Sequence, residues 1–182
     1  MNKEHLVYIL DEQVSVGFTG KVNALDSNTS QMLGSIFIKD GKIIDCTYKG
    51  SNSIKAFFNL CVDEFDVKSL KYIVEPEVID QRLETIHYPY SVLKRKIVEV
   101  IEKYRAAKQQ KPPGNLKIII EADFIANGSK VDATEFSLLK TLSDVNRVED
   151  IYSKSALIDY EITNALVSLR KKKALRVLKN KE

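Results

Sequence analysis

The chain has 182 residues, of which 44% are apolar, and a formal net charge of +3 at pH 7. This length supports one medium domain or two small ones, and the apolar content excludes a disordered chain. No apolar run reaches the roughly 18 residues of a membrane span, and the start lacks a signal-peptide pattern, so we expect a cytoplasmic protein. Cys46 and Cys61 lie among apolar neighbours and are expected to be reduced and buried.

The N-terminal part predicts a helix followed by a strand. Leu6, Ile9 and Leu10 recur at helical spacing within a segment from about residue 3 to residue 13. Residues 18–25 then alternate apolar and polar side chains, as a half-buried strand does, and a polar loop rich in turn formers follows. The helix is expected to pack on the sheet that begins here.

The clearest local signal is a β-hairpin centred on Asp40 and Gly41. These two residues tolerate the positive φ of a type I′ turn, and β-branched and aromatic residues flank them on both sides. A helix is predicted to begin within residues 50–53, because serine and asparagine there can cap it. A strand over residues 69–74 follows and is expected to stop at Pro76.

Turn glycines and apolar positions in this part follow a recognisable order. They are Thr19-Gly20-Lys21-Val22, then Gly34 and Ile36, then Asp40-Gly41-Lys42-Ile43-Ile44-Asp45, then Gly50 and Lys55-Ala56-Phe57, and then the closing strand. In this order, over about residues 4 to 76, the chain resembles the PATAN-type domain of bacterial signalling proteins. It departs from that pattern at Asp45-Cys46, where many relatives have a small or histidine-alanine pair, and it shows no counterpart of the usual leading strand.

The resemblance implies a non-catalytic role in bacterial signalling. PATAN-type domains occur beside response-regulator receiver domains and in adaptors of polarity and of gliding or twitching motility, including partners of small Ras-like GTPases. The expected partner is therefore a receiver domain or a small GTPase. The glycines themselves are explained by turns and strand ends, and none belongs to a loop that could cradle phosphate.

The middle of the chain predicts a connector and then a basic helix. Pro76 and Pro89 interrupt regular structure, and Ser91 is placed to cap a helix that runs to about Gln109, before the Lys111-Pro-Pro-Gly114 break. The apolar stripe of this helix consists of Leu93, Ile97, Ile101 and Tyr104, widened by Val98 and Val100.

The second half predicts a short strand, three helices and a final strand. The strand is residues 116–120, and Asn127-Gly128 marks a turn. Asp132 and Glu135 have capping-box spacing ahead of the first helix. The buried face of this first helix is expected to consist of Phe136, Leu139 and Leu142. A short second helix is predicted at residues 148–152, and a turn near Ser155. Asp159 is expected to cap a third helix that buries Ile162, Ala165, Leu166 and Leu169, and residues 174–178 are expected to form a strand.

Three helices with a tight turn before the third, followed by a strand, resemble a bacterial winged helix-turn-helix. The third helix, residues 160–173, would then be the recognition helix. The candidate residues for binding a partner or nucleic acid are Arg170, Lys171, Lys172, Lys173 and Arg176. Recognition helices usually contact DNA from the N-terminal end, where this helix has Asp159 and Glu161, and cations at a helix C-terminus also complement its dipole.

Other chemistry finds little support in the sequence. His5 and His87 lack cysteine or carboxylate neighbours at metal-ligand spacing, so no metal site or cofactor is predicted. Asp63, Glu64 and Asp66 lack the glycine and distal glutamate of a calcium loop and favour a solvated acidic loop. No nucleophile elbow or P-loop is present, and no catalytic residue is predicted.

Together the patterns predict an α+β protein: an antiparallel sheet with packing helices over residues 1–90, a basic connector helix and linker over 91–114, and a winged-helix-like domain over 115–182. The predicted function is a signalling adaptor or scaffold that is not an enzyme and does not enter a membrane, in the control of polarity or motility. A DNA-binding transcriptional regulator is the alternative, and an enzyme whose site is invisible in sequence is a more distant one.

Overall fold

The computed structural model describes residues 5–67, 70–80, 84–128 and 130–178. Over these residues the chain is α+β, as predicted, with a five-stranded antiparallel sheet, a two-stranded sheet and seven helices. It divides into two compact units, unit 1 (Met1–Glu102) and unit 2 (Lys103–Glu182). The division falls inside the helix that the sequence interprets as a connector. No helix in the described ranges is long and apolar enough to cross a bilayer.

Unit 1 is built on one antiparallel sheet that contains β1 (Gly20–Asp26), β2 (Met32–Lys39), β3 (Lys42–Tyr48), β4 (Ser51–Asn52) and β5 (Leu70–Pro76). Its strand order is β4-β3-β2-β1-β5. β1 pairs antiparallel with β2 along one edge and with β5 along the other. The helices of this unit are α1 (Leu6–Ser15), α2 (Ser53–Val67) and the part of α3 (Tyr90–Lys108) that ends at Glu102.

The predicted hairpin is confirmed. Asp40 and Gly41 have φ of 49° and 72°, and they link β2 to β3 with Lys39 opposite Lys42. Positive φ at both central residues is the requirement of a type I′ turn. The turn also lies against the end of α1, because a Cβ built on Gly41 would come within 2.7 Å of the Val14 carbonyl oxygen. The hairpin tip is therefore packed and not merely exposed.

The core of unit 1 lies between the sheet and its helices. Leu6 and Leu10 of α1 and Phe57 and Leu60 of α2 are completely buried. The sheet contributes alternate residues to the same core, as a half-buried sheet does. These are Val22, Ala24, Ile36, Ile38, Cys46 and Tyr48. Both cysteines are buried and form no disulfide, as the sequence predicts.

The connector after β5 has no helix or strand at residues 77–80 and 84–89, as predicted, but it contributes to the unit 1 core. Ile79 and Ile86 are almost fully buried. The backbone N–H groups of Thr85 and Ile86 donate to the Ile44 carbonyl oxygen at 2.8 and 2.9 Å, and the Thr85 hydroxyl donates to Asp45. β4 pairs only with the end of β3, so the connector satisfies the part of that edge that β4 leaves open.

Unit 2 packs helices against a two-stranded sheet. β6 and β7 pair antiparallel, and β6 also forms an isolated bridge from Lys117 to Arg147. Leu138, Ile151, Ile162 and Leu169 are the centre of its core. The elements are β6 (Lys117–Ile120), α4 (Ala122–Ala126), which the sequence did not predict, α5 (Ala133–Asp144), α6 (Val148–Lys154), α7 (Asp159–Lys171) and β7 (Leu175–Leu178).

The predicted start of α5 is confirmed, but its predicted buried face is wrong in one residue. Asp132 Oδ1 accepts from the Glu135 N–H at 2.8 Å, and Glu135 Oε2 accepts from the Asp132 N–H at 2.8 Å, which completes a capping box. Phe136, however, is 64% exposed, whereas Leu138 is completely buried. The face with Phe136 and the face with Leu138 both have apolar residues at helical spacing. Contact with α7 buries the second face, which carries Glu135, Leu138 and Leu142.

For α7, the predicted apolar face is confirmed but the predicted cap is not. Ile162, Ala165, Leu166 and Leu169 are all buried. Asp159 is the first residue of the helix and not its cap; Ile158 occupies the cap position, and its N–H donates to Glu161 Oε2 at 3.0 Å. The Glu161 side chain, in the first turn of the helix, thus accepts a hydrogen bond at the helix start, where the sequence predicted Asp159 as the cap.

We predict that Gly41→Ala destabilises the protein more than Gly17→Ala. Both glycines have positive φ, at 72° and 67°, so each alanine carries the same left-handed strain of about 1 kcal/mol. The Gly41 Cβ would also clash with Val14, whereas no atom lies within 4 Å of the Gly17 Cβ. Urea unfolding should show a loss of about 2–3 kcal/mol for Gly41→Ala. Equal losses would mean that the close approach contributes nothing.

Candidate functional site

The five predicted site residues surround the C-terminal end of α7. Arg170, Lys171, Lys172 and Lys173 are exposed at that end, and Arg176 is exposed on β7. They lie there because the apolar face of α7 is buried, which leaves the basic residues of the last turn in solvent. Their environments differ, and this difference decides which of them can bind a second molecule.

Lys172 is bound to a buried carboxylate within unit 2. Its Nζ lies 2.6 Å from Glu135 Oε2, and the Glu135 side chain is only 2% exposed. The Ser168 hydroxyl donates to Glu135 Oε1 at 2.7 Å. Burial opposes ionisation of Glu135, but Lys172, Ser168 and the Asp132 N–H outweigh it and hold the pKa of Glu135 below its ordinary value of 4.5. Lys172 therefore joins α7 to the start of α5.

The remaining basic residues are less constrained. Arg176 Nε lies 3.0 Å from Glu121 Oε1, in a pair open to solvent. Arg170, Lys171 and Lys173 form no ion pair within the described ranges. Lys173 has a φ of 58° and ends α7, because the Ala174 N–H donates back to the Leu169 carbonyl. Three cations are thus available to a partner.

The opposite end of α7 is acidic, as the sequence predicts. Asp159 pairs with Lys111 at 3.1 Å, and Glu161 accepts from the Ile158 N–H. A helix that reads DNA usually presents its N-terminal residues to base edges. Here Asp159 and Glu161 occupy the N-terminal end, and the cations available to a partner lie at the other end of α7, about three turns away.

A second candidate surface lies in unit 1 and was missed by the sequence reasoning. It is an apolar groove of about 410 Å³ between α1, α2 and α3, which we call the helix groove. Val98, at its edge, is 60% exposed, and Tyr8 is 39% exposed. Its lining is His5, Val7, Tyr8 and Asp11 from α1 and the residue before it, Cys61, Glu64 and Phe65 from α2, and Ile97, Val98 and Ile101 from α3.

Asp63, Glu64 and Asp66 were predicted to form a solvated acidic loop, and this is wrong for the loop and for the exposure of Glu64. Asp63, Glu64 and Asp66 lie on α2, and the Glu64 side chain is only 10% exposed. Glu64 Oε1 accepts from the Leu6 N–H at 2.6 Å, so it satisfies a backbone donor at the start of α1. Burial is the main cause that raises the pKa of Glu64.

The sequence contained one signal for the helix groove. The apolar stripe of α3 is wider than one packing face needs, because Leu93, Ile97 and Val100 are buried while Val98 is left exposed. No local sequence pattern could predict that α1 and α2 would lie beside Val98 and form a groove with it.

Comparison with known proteins assigns this chain to no family. No protein-family model matches the sequence, and the searches of curated proteins and of solved structures give no match. The resemblance to PATAN-type domains and to winged helices therefore stays a prediction from the residues.

We predict that Lys172→Met destabilises the protein, whereas Lys171→Met does not. Removing Lys172 leaves the buried Glu135 carboxylate without its cation, which should cost about 2 kcal/mol, less than a fully buried pair because Lys172 is partly exposed. The exposed Lys171 should change stability by less than about 0.5 kcal/mol. Urea unfolding at about pH 7 measures both.

The pH dependence gives the same prediction a second test. Glu135 has a lowered folded pKa, so its pairing contributes fully above its ordinary value of 4.5 and is lost as the pH falls through the folded value. The stability difference between Lys172→Met and the wild type should therefore shrink below about pH 4. A difference that stays constant with pH would assign the loss to packing of the lysine stem.

Proposed function

We propose that this chain is a cytoplasmic, non-catalytic bacterial signalling adaptor that binds a protein partner through the helix groove of unit 1. The partner class follows from the PATAN resemblance: a response-regulator receiver domain or a small Ras-like GTPase, in the control of polarity or motility. The observation that carries the proposal is the apolar edge of the helix groove, where Val98 is 60% exposed in the middle of α3. Exposed apolar side chains that line a groove are typical of protein-binding surfaces.

The polar surroundings of the helix groove also support this proposal. Lys94 bonds both oxygens of Asp11 at 2.8 and 2.7 Å and so holds α3 against α1 beside the groove. The Tyr90 hydroxyl donates to the Val7 carbonyl from the start of α3. An apolar centre with a polar rim is the usual composition of a protein interface.

We predict that Val98→Glu weakens binding to the partner at least tenfold, because a carboxylate would have to be desolvated against apolar walls. The assay is calorimetric titration of the full chain with purified receiver domains and small GTPases from the source organism, in each activation state. Val78→Glu is the matched control, since Val78 is 95% exposed in the same unit and lies outside the helix groove. Equal losses for both variants, or no binding by any candidate, would contradict the proposal.

Duplex DNA is the second candidate ligand, supported by the three available cations at the end of α7. If Arg170, Lys171 and Lys173 each neutralise one phosphate, the slope of log K against log salt should be no steeper than about −3. We expect the variant with Arg170→Glu and Lys171→Glu to lose whatever DNA affinity the chain has while it keeps partner binding.

The measurement for this prediction is fluorescence anisotropy of a labelled duplex at about 50 and 200 mM salt. The control carries Lys140→Glu and Lys154→Glu, which change the charge of unit 2 equally at exposed positions away from α7. Lys172 stays unchanged in both, because its loss would disturb the Glu135 pair. A salt-dependent DNA affinity that is lost in the α7 variant but kept in the control, together with no protein partner, would replace the adaptor by a DNA-binding regulator.

A further inference from the structure

The helix groove contains a carboxylate whose charge the fold itself does not use. Glu64 lines the groove and is nine-tenths buried. Its Oε1 accepts from the Leu6 N–H, and that role needs only an acceptor oxygen. His5 Nδ1 is 3.7 Å from Oε2, which is too long for a hydrogen bond, and the His5 side chain is 60% exposed. Glu64 Oε2 can therefore accept a further hydrogen bond.

The surroundings do not neutralise this charge. Within the described part of the chain, no lysine or arginine forms an ion pair with Glu64. The other carboxylate of the groove, Asp11, differs, because Lys94 bonds both of its oxygens. The Tyr72 hydroxyl is buried close to the Glu64 carboxylate and stabilises its ionised form only weakly, because it forms no hydrogen bond of ordinary geometry. Within the described residues an ionised Glu64 therefore has only the exposed His5 ring, 3.7 Å from Oε2, as an ion-pair partner among apolar walls.

A desolvated carboxylate without a cation is unfavourable in the isolated protein. An isosteric amide would keep the bond from Leu6 and remove that cost, so the ionisable group serves the isolated fold poorly. The Glu64 carboxylate becomes favourable when a cation enters the groove, because charge-assisted hydrogen bonds are about twice as strong as neutral ones. Charge complementarity therefore specifies what the groove receives.

We propose that the helix groove binds a short segment of the partner protein that presents apolar side chains around one lysine or arginine, whose cationic group pairs with Glu64. The apolar side chains contact Val98, Tyr8 and Phe65, and the cation meets Glu64 Oε2. This rests on the proposed function and adds the chemistry of the recognised segment. A groove volume of about 410 Å³ lies within the range of protein binding pockets.

The test selects 12-residue peptides from a random display library on the full chain and discards those that also bind Val98→Glu. A synthetic copy of one selected peptide is then titrated against the wild type, Glu64→Gln and Glu12→Gln. Glu12 is the matched control, an exposed carboxylate on α1 outside the groove. Urea unfolding of Glu64→Gln, expected to be at least as stable as the wild type, excludes misfolding as the cause of any loss.

We expect the selected peptides to share one basic residue between apolar ones. Glu64→Gln should weaken binding tenfold or more, and Glu12→Gln should leave it unchanged. Replacing the basic residue of the peptide by norleucine should weaken binding to the wild type by the same factor and have little effect on Glu64→Gln, as a double-mutant cycle requires for a direct pair.

The contrary outcomes are distinct. Peptides that depend on Val98 but have no basic residue, or bind Glu64→Gln equally well, would overturn the cation pairing and leave the groove as the docking surface. Failure to select any Val98-dependent peptide would overturn both this inference and the groove as the adaptor's binding site. Sedimentation that shows a dimer dissociated by Val98→Glu would identify a second copy as the occupant and also overturn it.

Discussion

The antiparallel pairing of β1 with β5 is the constraint on which unit 1 depends. Seven residue pairs join Gly20–Asp26 to Leu70–Pro76, across the hairpin and α2 in sequence. Because β1 also pairs with β2, it becomes the strand next to the edge, and α2 must cross the sheet to bring β5 beside it. This crossing buries Phe57 and Leu60 and places Glu64 beneath the start of α1.

The connector continues the same argument. It leaves β5 at one edge of the sheet and reaches Ile44 of β3 near the other, where β4 is too short to cover the edge. An uncovered edge is a site of aggregation, so the backbone bonds from Thr85 and Ile86 protect the sheet as well as order the segment. α3 then begins where it can pack against α1. The helix groove is a consequence of this route, since it lies where three helices from distant parts of the sequence meet.

Two buried glutamates show how the same side chain takes different roles. Glu135 receives Lys172, Ser168 and a backbone N–H, so its charge is compensated and joins α5 to α7. Glu64 receives the Leu6 N–H and weaker support from His5 and Tyr72, and burial outweighs all three and raises the pKa of Glu64. The compensated carboxylate stabilises the fold, which explains why Lys172 differs from the other basic residues around it. The less compensated one is the group that the proposed partner would use.

Features that depend on a few neighbouring residues were predicted correctly from local patterns. Asp40-Gly41 specified its turn through backbone sterics, Asp132 and Glu135 specified a capping box, and α7 had only one apolar face to bury. Contacts between distant segments settle what neighbouring residues cannot encode: Leu138 and not Phe136 faces the core, the Glu64 side chain is only 10% exposed, and Val98 remains exposed beside α1 and α2. Burial is a property of segments brought together from far apart in the chain, so local patterns constrain it only to a choice of faces.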